Sequence, residues 1–359
     1  MPRDPNWQSN AAAQFVIKQI GMDMRATTSL RWVLLVLVPL MLIFELGCGK
    51  ADFRKTLRSS GLQAPEGGPV VLAAYQPWFG RSGHIDVGYS SQDRTVLQRQ
   101  IEEAKGLGIT AFVVNWYGAR HHFEDQSYAL MQQLAEQLDF RVALMYDEDE
   151  SSPEDSTGTV LNDLQYAYSR YISPSSEISS RSYLRYQGRP VIFIFPKARH
   201  TNWSKIRSVV DQWQDRPLLI YKDPYPNFAS AFDGFYAWVS PGKDGWKPDG
   251  SNWGQEYLEH FYVTMNKQYP DKLAVGAAWP GFNDARASWS QNRKMDPRCG
   301  RTFEESLRLF RRYYSPDHPL PFLMIDTWND YEEGTAIEGG TASCSASPPM
   351  RSAYKAAAR

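Results

Sequence analysis

Eight short apolar or β-branched runs alternate with longer segments whose apolar residues recur three and four apart, and this alternation predicts an α/β chain folded as a (β/α)8 TIM barrel. Length agrees. The folded body begins near Pro69 of a 359-residue chain, which leaves room for a fold that typically takes about 250 residues. A third observation is where the aromatic residues fall. The chain holds 12 Trp, 20 Tyr and 17 Phe, 14% of its length. Trp or Tyr closes nearly every run, at the strand ends where a barrel carries its chemistry.

The expected strands are Val70–Tyr75, Ile109–Trp116, Arg141–Tyr146, Pro190–Phe195, Leu218–Tyr221, Phe232–Trp238, Leu273–Ala278 and Phe322–Trp328. A helix over Arg94–Leu107 sets Val96, Leu97, Gln100, Ile101, Ala104 and Leu107 mainly on one face, and Gly106-Leu107-Gly108 stops it just before the second strand. Gln126–Leu138, Thr159–Ile172, Trp203–Trp213, Asn252–Lys267 and Phe303–Tyr313 read as further helices, and Gly188-Arg189-Pro190 opens the fourth strand. Two units break the pattern. Only Phe228 to Ala231 separates strands five and six, too short a stretch for a full helix. After Glu338 the chain runs GGTASCSASPPMRSAYKAAAR without apolar periodicity, so the closing helix is expected to be atypical or missing and this edge the least stable. Residues 69–338 are therefore assigned to the barrel and 339–359 to a low-complexity tail.

Upstream, Trp32 to Phe44 is an apolar run of 13 residues. A spanning helix needs about 20, whereas the core of a signal peptide needs roughly 7–15. With Arg25 and Arg31 before it and Gly47-Cys48-Gly49 after it, the run reads as an export signal whose translation starts at Met22 or Met24. Glu45-Leu46-Gly47-Cys48 resembles a bacterial lipobox, which implies lipidation of Cys48. Residues 1–48 are thus an export segment, and the polar, Gly- and Ser-containing stretch 49–68 is a tether. This reading puts the protein in the cell envelope, touching the membrane only through its anchor. The alternatives are a secreted or periplasmic protein and an uncleaved anchor.

Composition narrows the partners. Lys plus Arg number 39 against 40 Asp plus Glu, a net charge of −1, and no basic stripe appears, so nucleic acid is not an expected partner. Cys48, Cys299 and Cys344 form no CxxC pair, and no His stands at zinc-ligand spacing. Neither a disulfide framework nor a metal site is indicated, and no cofactor is expected. His121-His122 reads as a surface loop.

The strand ends carry the candidate chemistry. Tyr75-Gln76-Pro77-Trp78 follows strand one, Asn115-Trp116-Tyr117-Gly118 strand two and Tyr146-Asp147-Glu148 strand three. Tyr221-Lys222-Asp223, Trp238, Trp279-Pro280-Gly281-Phe282-Asn283-Asp284 and Trp328-Asn329-Asp330-Tyr331-Glu332-Glu333 close strands five to eight. Flat apolar faces interleaved with carboxylates match a sugar, whose C–H faces stack on rings and whose hydroxyls donate to acids and amides. Tyr75, Trp78, Trp116, Tyr117, Asp147, Tyr221, Trp238, Trp279, Asp284, Trp328 and Asn329 are therefore candidate carbohydrate-binding residues. Beyond Asp147 and Glu148, the acidic run to Glu150 reads as a solvated loop. Glycoside cleavage needs two carboxyl groups, and Asp330 and Glu333 lie three apart, on one side of a helical turn. Their repulsion tends to raise one pKa and supply an acid.

These residues resemble glycoside hydrolase family 99. Tyr75-Gln76-Pro77-Trp78-Phe79-Gly80 is similar to its first strand end, and Gly108-Ile109-Thr110 through Asn115-Trp116-Tyr117-Gly118 to its second strand. Pro280-Gly281-Phe282-Asn283-Asp284, Arg298-Cys299-Gly300-Arg301-Thr302-Phe303 and Trp328 to Glu338 resemble its later motifs. The resemblance implies a retaining, metal-free hydrolase of α-linked mannose glycans. Asp330 would be the base acting on the sugar's own 2-hydroxyl to give a 1,2-anhydro sugar, and Glu333 the acid and then base. Asp330, Tyr331 and Glu332 stand where the family has Glu, Trp and His. Asp is one methylene shorter, so either the substrate sits differently or the chemistry differs. The leading expectation is an exported glycoside hydrolase acting on an α-linked glycan. The competing ones are a non-catalytic surface glycan-binding protein on the same barrel and a polysaccharide-assembly protein.

Overall fold

The computed structural model describes residues 69–148, 156–197, 200–241, 252–313 and 320–339. The export segment, the tether, Cys48 and most of the low-complexity tail lie outside them. Among the described residues no helix is long and apolar enough to cross a membrane.

Eight parallel strands close on themselves: β1 (Val70–Tyr75), β2 (Ala111–Trp116), β3 (Arg141–Asp147), β4 (Arg189–Phe195), β5 (Leu218–Lys222), β6 (Gly234–Tyr236), β7 (Leu273–Ala278) and β8 (Phe322–Ile325). Each pairs with the next, and β8 pairs with β1, so the barrel has no open edge. The strands are buried on both faces, which is why they read as continuous apolar runs rather than alternating ones.

Around them lie α1 (Arg94–Gly106), α2 (His122–Gln137), α3 (Thr157–Ala167), α4 (Trp203–Val210), α5 (Gln255–Gln268) and α6 (Arg301–Tyr313). Asp93 caps α1 by accepting from the N–H groups of Thr95 and Val96. The expected helix to Ile172 instead changes at Tyr168 into a π turn, Tyr168–Ile172. The α4 helix stops at Val210, short of Trp213, whose ring packs on Tyr168 at 4.4 Å. Between β5 and β6 stands only a 3-10 turn, Pro226–Ala231, as the short connection requires. At the N-terminal mouth a two-residue strand, Arg185–Tyr186, folds back on β4, and the Tyr186 ring meets Phe322 at 5.3 Å.

No helix follows β8 among the described residues. There the backbone of Ile337 and Glu338 returns to Thr327 and Trp328, and the Glu338 carboxylate accepts from Gln100 and Arg99 of α1 and from Tyr89 and Tyr331. Cys299 is disulfide-bonded, which the cysteine spacing did not lead us to expect. The chain's other cysteines, Cys48 and Cys344, both lie outside the described residues.

Which residues face the barrel axis follows from one glycine. A Cβ on Gly276 would lie 2.3 Å from the Phe310 ring of α6 and 2.7 Å from the Tyr262 hydroxyl of α5, so this position points outward. Since side chains alternate along a strand, the paired registers then carry the parity round all eight strands and close without conflict. Gly276→Ala is expected to destabilise the fold by about 1–3 kcal/mol through overpacking. Gly158, in the first turn of α3 with nothing within 4 Å of a built Cβ, serves as control: Gly158→Ala should be neutral or stabilising by up to ~1 kcal/mol. Urea denaturation measures both, and an unperturbed Gly276→Ala midpoint contradicts the outward assignment.

Candidate active site

At the C-terminal mouth the turn after β8 is tied down from within. Asp330 donates its N–H to Thr327 Oγ1 at 2.8 Å, and its Oδ1 accepts from the N–H groups of Glu332 (3.1 Å) and Glu333 (2.8 Å). The three-residue spacing therefore forms one turn, with Asp330 capping the segment that carries Glu333. Asn329 fastens this turn to β1 by accepting from Gln76 N at 2.7 Å and donating to Gln76 O at 2.9 Å. Gln76 Nε2 in turn donates to Asp330 Oδ2 at 3.2 Å.

Both carboxyls titrate above the usual range. Burial and then the Glu333 charge push Asp330 up, against the turn's N–H groups that hold it down. Burial also raises Glu333, opposed by the Trp289 indole N–H and by the charges of Arg293 and Lys222. Two mutually repelling acids with raised pKa values are what general acid and base work near neutrality requires.

Strand parity places Gln76, Asn115, Asp147, Phe195, Lys222, Tyr236 and Asp326 on the inner face at the top of the barrel. Gln76 Oε1, Asn115 Oδ1 and Asp326 Oδ1 are buried and have no hydrogen-bond partner among the described residues. Buried polar atoms are normally paired, so these acceptors suit a polyhydroxylated guest. Asp147 pairs with Lys197 at 2.8 Å. Lys222 lies 4.2 Å from the Phe195 ring centre. Burial lowers its pKa, while the charges of Asp223, Glu333, Asp147 and Asp326 raise it.

The predicted aromatic residues divide into two groups. Trp78, 5% exposed, stacks on His84 at 4.7 Å and approaches Tyr117 (6.3 Å) and Trp289 (6.0 Å). The Tyr117 hydroxyl is raised by burial and by Asp147, with Asn115 bonded to it and Asp330 close enough to add to the shift. Gly118 allows this turn, having φ +91° and Asp163 Oδ2 only 2.5 Å from where a Cβ would stand. Trp238 packs on Phe195 (5.4 Å) and Tyr236 (6.2 Å) at the mouth.

The remaining predicted residues belong to the supporting layers. Tyr75 points outward and donates to Gln100, and Trp116 donates to Asp125 of α2 and stacks on Tyr166. Tyr221 packs among Trp203, Phe228 and Phe232. Trp279 is sealed against Gly254 and donates to Trp253 O, and Trp328 packs on Phe112 behind the barrel wall. The period of two sends alternate strand-end residues away from the axis, whatever their type. Asn329 and Asp284 brace backbone. Asp284 accepts from Ser290 Oγ, Gln291 N, Arg293 N and Arg293 Nε, which holds its carboxyl below the usual range despite burial.

Residues that the fold brings to the mouth and that sequence reading did not name as candidates include Gln76, Asn115, His84, Lys197, Lys222, Trp289 and Asp326. Counting parity along β5 and β8 identifies Lys222 and Asp326. His84 and Trp289 arrive on loops and carry no periodic signal. His84 Nδ1 meets Glu332 Oε2 at 2.9 Å, and Trp289 Nε1 donates to Glu333 Oε1 at 2.9 Å.

No protein-family model matches the sequence. No curated protein sequence matches it either. Among solved structures the chain is similar to the GH99 endo-alpha-mannosidase from Bacteroides thetaiotaomicron, in a structure with bis-tris-propane bound. Identity is 19%, coverage 75% of this chain and 86% of that one, and the TM-score 0.59. A second structure of that enzyme aligns at 18% identity over 75% and 87% of the two chains, TM-score 0.58. A glycoside hydrolase-like protein aligns at 14% identity over 79% and 91%, TM-score 0.55. These likenesses establish the (β/α)8 fold.

Asp326 offers a test of the mouth's electrostatics. It is buried, with Oδ2 accepting from Val239 N at 2.9 Å, and burial raises its pKa well above 3.8. A raised folded-state pKa means that the native protein binds the proton more tightly. Its stabilising contribution is therefore full below pH 3.8 and is lost as pH rises towards the folded value. Asp326→Asn, which keeps the acceptor for Val239, should lose less stability than wild type between about pH 4 and pH 8. Urea midpoints across that range decide it; parallel curves reject a neutral Asp326.

Proposed function

We propose that the protein is a glycoside hydrolase acting on an α-linked glycan, with Glu333 as acid and Asp330 as base. The observation that supports this most directly is the mouth itself. Two carboxyls share one turn, beside buried acceptors on Gln76, Asn115 and Asp326 that are unpaired among the described residues and beside the rings of Trp78 and Tyr117. Asp330 Oδ1 is held by two backbone N–H groups, whereas among the described residues Oδ2 has only the neutral Gln76 amide. Oδ2 is the oxygen left to accept a proton.

In the reaction that the family resemblance implies, Asp330 takes the proton of the sugar 2-hydroxyl, O2 forms a bond to C1, and the C1 bond to the leaving oxygen breaks as Glu333 protonates that oxygen. Water then attacks C1 as Glu333 takes its proton, the C1–O2 bond breaks and O2 recovers its proton from Asp330, so the anomeric configuration is retained and both carboxyls return to their starting states. The mannose-acting relative makes an α-mannoside the first substrate to try. The sequences of the Trp32–Phe44 run and Cys48 further favour an exported, lipid-anchored enzyme.

A second reading rests on a specific observation. Asp330 already caps its own turn, which suits a barrel that binds glycans without cleaving them. Calorimetry against a panel of α-linked glycans, run with a reducing-end assay, separates the two. Hydrolysis should fall by about 10²- to 10⁴-fold in Glu333→Gln, the range of a lost general acid, while glycan binding survives. Undiminished turnover would sink the assignment, and binding without new reducing ends in wild type favours the binder.

A further inference from the structure

Trp289 is 40% exposed, in contrast to Trp78 and Trp238 at 5% and 6%. Leaving a large indole in water forgoes burial, so its neighbours matter. Its ring lies in T-shaped contact with Trp78 at 6.0 Å and His84 at 6.3 Å, with ring planes 77° and 68° apart. Its Nε1 donates to Glu333 Oε1 at 2.9 Å. The loop that carries it is fastened from beneath by the four bonds to the fully buried Asp284, at Ser290, Gln291 and Arg293. Trp289 thus reaches Glu333 from a fixed point on the β7–α6 loop.

A general acid delivers its proton to the departing oxygen, so whatever borders the acid also borders the leaving group. We propose that Trp289 is a positioning and specificity residue: its N–H orients the Glu333 carboxyl, and its exposed ring face stacks on the sugar of the leaving group. The preferred substrate is then a glycan whose leaving group is itself a sugar, not one with a small aglycone. The inference rests on Glu333 being the acid and adds to that assignment what holds it and what it cleaves.

Other charged groups face Glu333 as well. Asp330 and Glu332 share its turn, Arg293 and Asp284 come from the Trp289 loop, and Lys222 comes from β5. Arg293 is bonded to Asp284 and acts through space, as does Lys222. Trp289 is the side chain bonded to the Glu333 carboxylate among the described residues. An N–H donor favours the ionised form. Without it Glu333 keeps its proton to higher pH, and the alkaline limb of activity moves upward.

Trp289→Phe removes the N–H and keeps a ring, while Trp289→Ala removes both. For wild type labelled with 15N-tryptophan, we expect one indole resonance, absent in Trp289→Phe, to shift with pH and to lose that dependence in Glu333→Gln. An indole that titrates unchanged in Glu333→Gln, or none that titrates, overturns the positioning role without any reference to turnover. In kinetics, Trp289→Phe should lower kcat about tenfold with KM little changed and move the alkaline limb upward; a superimposable pH profile overturns it. By calorimetry with the inactive Glu333→Gln background, Trp289→Ala should bind an α-linked oligosaccharide about 3- to 10-fold more weakly than Trp289→Phe. Equal binding overturns the stacking role. Absence of turnover in wild type would count against the hydrolase reading alone, since resonance and binding still decide the role of Trp289.

Discussion

The pair of hydrogen bonds between the Asn329 amide and the Gln76 backbone is the constraint on which the mouth depends. It joins the segment after β8 to the segment after β1, across the seam where the barrel closes. Because Asn329 is buried, bonds the Gln76 backbone twice and also donates to the Tyr89 hydroxyl at 3.3 Å, the turn it begins has little freedom. Asp330 then caps that turn, and Glu333 follows from the cap. Thr327 and Thr335 close the turn from below, where Thr327 N donates to Thr335 O and the two hydroxyls meet at 3.0 Å. A site built in this way is rigid without a helix behind it, and no helix follows β8 among the described residues.

Electrostatically the mouth is a balance between burial and sparse positive charge. Asp326, Asp330, Glu333 and Asp223 are all raised by burial, and the Lys222 charge opposes the shift at Asp326, Glu333 and Asp223. Lys222 is itself lowered by burial. A cation that pairs tightly with one carboxylate serves that group alone, whereas one held over Phe195 spreads its field over several. Glu332 adds its charge to the shift at Asp330, but its own carboxylate is bonded to His84 and to the N–H of Ile85. Its place in the acidic run is structural, which leaves Asp330 and Glu333 as the pair that faces the cleft.

The strands were legible because buried parallel strands must be apolar on both faces, and Val70–Tyr75 and Leu273–Ala278 came out with the expected bounds. The short fifth connection was legible from its length alone. The face on which a strand-end residue stands was less so. Tyr75, Trp116 and Tyr221 look like Trp238 in composition, yet one step of parity turns them into the helix layer. Phe322–Trp328 was expected as one strand, and beyond Ile325 Asp326 N still donates to Ala278 O and Trp328 N to Ala74 O, but the paired register with β1 and β7 ends at Ile325. That leaves Trp328 free to turn outward on Phe112 and Asp326 to stay inside. Trp289 and His84 were illegible for another reason: each reaches the cleft on an irregular loop, whose path depends on contacts far apart in sequence.

The shorter side chain at position 330 has a geometric consequence. An Asp carboxyl reaches back to the N–H groups two and three residues on, the cap geometry that Asp favours at the start of a turn. A Glu has one more methylene and projects past those donors. With Asp, the turn is fixed by the reacting side chain itself, and the oxygen left over, Oδ2, stays near β1 beside Gln76. If Asp330 is the base, as proposed, the sugar hydroxyl must come within hydrogen-bond reach of that oxygen. Gln76 links this oxygen to the buried acceptors: its amide nitrogen donates to Asp330 Oδ2, while its Oε1, like Asn115 Oδ1 and Asp326 Oδ1, is unpaired among the described residues.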